Sequence, residues 1–146
     1  MQVINSIEEL ESLYEPVAPG PLSKVCDHIT PHYHRWINGS SFLILSTVGP
    51  EGTDGSPRGD SDSAVRIVDK HTLWLPDWRG NNRMDSLRNI VSDGRVSLMF
   101  MISGSNNVVR VNGTANLTAQ IEITSQFDKN NKSPRSVIVV TVNEIY

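Results

Sequence analysis

Two arginines sit where a helix least favours them. In residues 77–90, "DWRGNNRMDSLRNI", a helix is expected to begin at Asn82, with Asn82 as N-cap and Asp85 completing an approximate capping box three positions later. A helix N-terminus carries unpaired N–H groups and roughly half a unit of positive charge, so Arg79 and Arg83 require an explanation. Gly80, Asn81 and Asn82 permit a tight turn whose backbone N–H groups can converge on an anion. A phosphate there would receive amide hydrogen bonds, a charge-assisted fork from Arg83 and a contact from Arg79. The plain alternative is a solvated turn in which the arginines pair with Asp77 or Asp85. From this segment both readings stand.

A second cluster lies upstream in "SPRGD", residues 56–60. Ser56, Arg58, Gly59 and Asp60 follow a turn, where backbone approach to a ligand is easy, and Asp60 could orient Arg58 or receive a ligand donor. The alternative is that Ser-Pro and Gly-Asp merely terminate a strand. Arg110, in "VVRVNG", sits mid-strand between apolar neighbours. Its default place is the solvated outer face, and an inward or interface position would demand a carboxylate or phosphate partner. Trp78, beside the anion turn, could cover a flat cofactor ring or serve as a surface anchor. His28, His32 and His34 resemble a metal cluster only superficially, because Pro31 disrupts the helical spacing and no HExxH arrangement follows. The serines lack a G-x-S-x-G context, and there is no Walker A or G-x-G-x-x-G sequence.

The elements that must position these residues follow from periodicity. Residues 1–40 read as helical. Ser6 and Glu9 form a capping box in "SIEELESLY", and Pro31 suits a first helical turn. From residue 41 strands dominate: "SFLILSTV", "SPRGD", the hairpin "AVRIVD"–"HTLWLPD", "RVSLMFMI", "NNVVRVNGTANLTA" with a bulge at Asn112-Gly113, and "SVIVVTVNEIY". Met84, Leu87, Ile90 and Val91 are expected to form the buried face of the inserted helix. Six or seven strands without regular strand–helix alternation predict a mainly β protein, a β-barrel with peripheral helices. The domain organisation expected is a helical segment, 1–40, packing on a barrel domain, 41–146.

Composition bounds the function. The 146 residues suit one core, and the net charge of −3 argues against a general nucleic-acid binder. Cys26 is the one cysteine, so an intrachain disulfide and a cysteine-based zinc site are excluded. No segment reaches the roughly twenty apolar residues of a membrane span, and the N-terminus lacks an apolar signal core, so a cytoplasmic protein without membrane or nucleic-acid partners is expected.

The segments "FLILSTVGPEGTDGSPRGD", "VRIVDKHTLWLPDWRGNNRMDSLRNI", "VSLMFMI" and "VVRVNGTANLT" together resemble the FMN-binding split-barrel proteins related to pyridoxamine 5′-phosphate oxidase, in particular the subgroup of probable FMN-dependent enzymes. The resemblance runs from about residue 25 onward, with residues 56–112 the most specific part. It implies a split-barrel homodimer with FMN in each of two clefts at the subunit interface, and an FMN-dependent oxidoreductase acting on a small-molecule redox substrate. By the same resemblance, Arg83 with Asn81 and Asn82 holds the cofactor phosphate. Arg58 is the basic residue on the strand that faces the flavin, with Ser56, Gly59 and Asp60 beside it in the cofactor site, Asp77 and Trp78 run beside the ring, and Arg110 contributes near the interface. No catalytic acid or base is implied, since hydride or electron transfer needs none. The R-x-H-x-R segment that holds substrate phosphate in pyridoxamine phosphate oxidase has no counterpart, and relatives of the subgroup continue beyond "VNEIY". A non-catalytic flavin carrier or sensor is the alternative function, and a ligand-free interaction barrel a third.

Overall fold

The computed structural model describes residues 1, 3–16, 20, 24–80 and 82–146. Near the N-terminus, helix α1 (Ile7–Glu11) is capped as expected, Ser6 Oγ accepting the Glu9 N–H at 3.0 Å, yet it buries no residue. Helix α2 (Pro31–Gly39) starts with Pro31 in its first turn behind the N-cap Thr30 and buries Ile37 completely. Among the described residues of segment 1–40, the contacts with the barrel come from residue 26 onward: Cys26 bridges Ile145, and Ile29 and Ile37 join the core.

Seven strands follow: β1 (Phe42–Gly49), β2 (Gly52–Gly59), β3 (Arg66–Ile67), β4 (Thr72–Asp77), β5 (Arg95–Met101), β6 (Val108–Thr118) and β7 (Ser136–Ile145). Helix α3 (Asp85–Ser92) is inserted between β4 and β5, and α4 (Ile121–Thr124) with a single 3₁₀ turn (Ser125–Phe127) precedes β7. Every pairing is antiparallel, in the order β2-β1-β5-β6-β7-β4-β3. Strand alternation builds the core in rows. Leu43, Phe100 and Val109 are partners across β1, β5 and β6, as are Leu45, Leu98 and Val111, and all six are buried.

The sheet is rolled. β2 and β4 stand five places apart in the strand order, which would separate them by roughly 24 Å in a flat sheet. Yet Arg58 Nη1, at the end of β2, donates to Asp77 Oδ1, at the end of β4, over 2.6 Å. A curled barrel is the arrangement that satisfies both facts, and the ion pair spans its open side.

The bulge expected at Asn112-Gly113 is present, with the extra residue on the partner strand. Asn112 pairs with Glu144 and Gly113 with Val142, so Asn143 is left over on β7. Its insertion resets the alternation, which is why Ile138, Val140 and Val142 point inward and so does Ile145. Gly113 is required there, because a Cβ would lie 2.0 Å from the Thr141 carbonyl oxygen.

Helix α3 departs from expectation. It begins at Asp85, and its N-cap position is Met84, which makes no side-chain cap bond. Asn82 stands outside the helix in the left-handed region (φ 60°), a conformation that asparagine tolerates better than most side chains. The later start rotates the buried face. Ser86 and Ile90 are buried and Leu87 is partly so, whereas Met84 and Val91 are exposed. α3 lies against β1, β6 and β2, held by Ser86 Oγ to Asp54 Oδ2 (2.5 Å) and Asn89 Nδ2 to Thr47 Oγ1 (3.1 Å). Among the described residues no helix is long and apolar enough to cross a membrane.

Candidate functional site

Where β2, β4 and the approach to α3 meet, a cavity of about 410 Å³ opens. Strand alternation decides which β2 residues are shielded there: Ser56 and Arg58 are half-buried, whereas Pro57 and Gly59 are exposed, with Pro57 still at the cavity rim. Arg58 is fixed at two atoms, Nε donating to Ser56 Oγ at 3.1 Å and Nη1 to Asp77. Its side chain and that of Asp77 are each about one-fifth exposed (20% and 19%), so this pair is shielded more than a surface ion pair. Trp78, Arg79, Asn82 and Arg83 continue the wall from the turn after β4, and Met84 and Leu87 add apolar surface.

The structure thus brings together Ser56, Arg58, Asp77, Trp78, Asn82 and Arg83 from the residues singled out in the sequence. Asn81 lies outside the described residues. Three others are elsewhere. Gly59 packs on the opposite side of β2 beside Phe42 and Ser41. Asp60 does not orient Arg58. Its carboxylate accepts Lys129 Nζ at 3.0 Å, and that hydrogen bond holds it below the usual carboxylate range. Lys129 is delivered there by a tight turn in which Asn130 and Asn131 are both left-handed. Arg110 lies on the exposed outer face of β6, its guanidinium 4.4 Å from the centre of the Tyr146 ring, a cation–π contact.

Arg83 takes one of the partners expected for a solvated turn, its Nε donating to Asp85 Oδ2, and this bond pushes its already high pKa up. Asp77 goes to Arg58 and not to Arg79. Among the described residues neither Arg79 nor Arg135 forms an ion pair. Among the described residues, the cavity is lined by four arginines, 58, 79, 83 and 135, against one carboxylate, Asp77, and no histidine or cysteine. The net field therefore favours an anion. A second hollow of about 510 Å³ shares Ser56, Pro57, Arg58 and Arg83 and extends toward Asp54, Asp85 and Ser86, so the two form one groove.

Two contributors escaped the sequence reading. Asp54 belongs to the Ser56–Arg58 side of β2 by period two, a local signal. Arg135 is reached only through topology, because β7 runs antiparallel to β4 and sets Ser136 opposite Asp77. Its one local sign is that Ser-Pro-Arg occurs twice, at residues 56–58 and 133–135.

The pyridoxamine 5′-phosphate oxidase family matches residues 29–146, most of the chain and the whole of the barrel. The chain belongs to this family. Its family fold is shared with solved structures of low sequence identity. HupZ from Group A Streptococcus superposes with a TM-score of 0.66 at 19% identity, covering 81% of this chain and 92% of that one. A Lactobacillus delbrueckii protein, described provisionally as a pyridoxamine 5′-phosphate oxidase, gives 0.63 at 17%, covering 83% and 95%. An FMN-binding protein from Syntrophomonas wolfei gives 0.54 at 15%, covering 75% and 77%. No curated protein matches the sequence. These likenesses establish the split barrel of pyridoxamine 5′-phosphate oxidase-like, FMN-binding proteins as the fold. In that family fold the arginine-lined groove occupies the opening between the ends of β2 and β4.

Proposed function

We propose that the chain is an FMN-dependent oxidoreductase acting on a small-molecule redox substrate. The observation that carries the reading is the convergence of Ser56, Arg58, Asp77, Trp78, Asn82 and Arg83 from separate segments onto one groove with a surplus of guanidinium groups. The residues present fit the cofactor. Arginines beside a turn of exposed backbone suit a phosphate, and Trp78, Pro57, Met84 and Leu87 offer a flat ring apolar contact. Bound there, FMN would supply the hydride or electron transfer. Arg83 and Arg58 would hold the phosphate, with Ser56 and Asp77 fixing the direction of Arg58. Gly59, Asp60 and Arg110 have no such contact within one chain. Arg110 belongs to the proposal only through a dimer.

A homodimer is supported by the outer face of the sheet. Phe42, Met101 and Val108 are partners across β1, β5 and β6, as are Ile44, Met99 and Arg110. Phe42, Met99 and Val108 are exposed there, an apolar patch with a cationic edge. A non-catalytic flavin carrier is the second reading. It is favoured by the pairing of the groove's carboxylates among the described residues: Asp77 accepts from Arg58, Asp54 from Ser86 and Asp85 from Arg83.

Titration with FMN, followed by flavin fluorescence, tests the proposal, with saturable quenching at one flavin per chain and a dimeric mass as the expected result. Arg83→Ala should weaken FMN by about one to two decades, the worth of one charge-assisted hydrogen bond. An unquenched, colourless protein would sink the cofactor assignment. Reduction of the bound flavin by NADH or NADPH, followed by turnover on an acceptor, separates the enzyme from the carrier.

A further inference from the structure

Ser-Pro-Arg places two arginines on the same cavity, and the second has a different task from the first. Arg58 is bound to a carboxylate. Arg135 instead donates from Nη1 to the neutral amide oxygen of Asn82, Oδ1, at 3.1 Å. Its backbone N–H donates to the Asp77 carbonyl at 3.0 Å. One residue therefore grips both ends of the segment that runs from Asp77 to Asn82. The preceding Pro134 is buried, and its fixed φ presents Arg135 at the entrance to β7 in a set direction.

The point of attachment matters because Asn82 is left-handed, at φ 60°. That conformation directs the chain into Arg83 and ends the possibility of helix before Asp85. A side-chain acceptor held from outside selects it over the helical alternative that the sequence around Asn82 would otherwise allow. We infer that Arg135 is a positioning residue for the anion site, acting through Asn82 to hold the turn from which Arg83 and the neighbouring backbone face a phosphate. The inference rests on the cofactor reading above and deepens it, since it assigns the task of preorganisation to a residue 53 positions away in sequence.

The test compares FMN with riboflavin, which lacks the phosphate, in wild type, Arg135→Ala, Asn82→Gly and the double variant. Glycine at 82 accepts the left-handed conformation but removes the acceptor, so the tether is already lost in that background. Arg135→Ala should weaken FMN about tenfold while riboflavin affinity stays unchanged, and should cost nothing further when Asn82 is glycine. In protein without flavin, amide hydrogen exchange in the peptide containing Trp78 and Arg83 should accelerate about tenfold in Arg135→Ala. Arg135→Met, which keeps the apolar stem, gives the same readouts if alanine disturbs folding. An equal FMN loss in both backgrounds would make Arg135 a direct phosphate ligand and overturn the inference. Equal losses for FMN and riboflavin, or unchanged exchange, would overturn it as well. If wild type binds no FMN yet exchange still accelerates, the cofactor reading fails and the tether stands. If FMN binds and neither readout responds, the tether fails alone.

Discussion

Arg58 and Arg83 differ in what a ligand must displace to reach them. Arg58 and Asp77 are both about four-fifths shielded, so their attraction is only partly screened, and an anion gains most by adding to the remaining guanidinium N–H groups. Arg83 and Asp85 are 77% and 43% exposed, a setting in which solvent screens an ion pair and leaves it weak. Asp85 is then a weak internal competitor for the same guanidinium that a phosphate would use. Replacing it, Asp85→Asn, should tighten FMN binding by about two- to fivefold at low salt. The same change removes the acidic residue from the first turn of α3 and should lower stability by about 0.3–1 kcal/mol. Opposite signs for affinity and stability, read by fluorescence titration and urea unfolding, mark the competition. Weaker FMN binding would show that Asp85 supports the site.

At the scale of elements, the connection from α3 to β5 and the β6–β7 bulge carry constraints that can be measured. Asp93 is the C-cap of α3, where the helix dipole disfavours a carboxylate, and Arg95 compensates with a bidentate contact of 3.0 and 2.6 Å. The Arg95 hydrogen bond lowers the Asp93 pKa from 3.8 to about 2. A carboxyl depressed by folding contributes stability that is present above its unfolded pKa and lost as pH falls through the folded one. The contribution should therefore be complete above pH 4 and disappear between about 4 and 2, so wild type and Asp93→Asn should converge in stability over that acid window. Parallel curves would exclude the pair as a source of acid sensitivity. Gly113→Ala should destabilise by about 1–3 kcal/mol or more, because the clash at 2.0 Å is with backbone that the bulge already fixes, and thermal unfolding reads it directly. Such features mark what sequence could and could not convey. The rows Leu43–Phe100–Val109 and Leu45–Leu98–Val111 were legible because period two is local, and so was the bulge at Gly113. The start of α3 is not legible in the sequence because Asn82 suits both an N-cap and a left-handed turn, and its contact with Arg135, just before β7, is nonlocal. Gly59 and Asp60 were grouped with Arg58 by proximity, although alternation turns one away and Lys129 claims the other.

The whole molecule is held in its curled form from two directions. Backbone pairing continues from β1 through β5, β6 and β7 to β4, and the Arg58–Asp77 pair then joins the ends of β2 and β4 across the side that this pairing leaves open. The pair is partly shielded, so removing one partner should cost more than the surface value and less than the roughly 3–5 kcal/mol of a fully buried pair, about 1–3 kcal/mol. Arg58→Met and Asp77→Asn should each lose that amount, and the double variant should lose little more than either alone, since both break one contact. The structural signature is nonlocal. In either single variant, amide exchange should accelerate at the ends of both β2 and β4, while β5 and β6, in the middle of the sheet, stay protected. A response confined to the mutated strand would mean that sheet curvature alone keeps the barrel shut. The linked response would instead identify the pair as the clasp of the split, and FMN, by adding an anion beside Arg58, should slow exchange at both strand ends together.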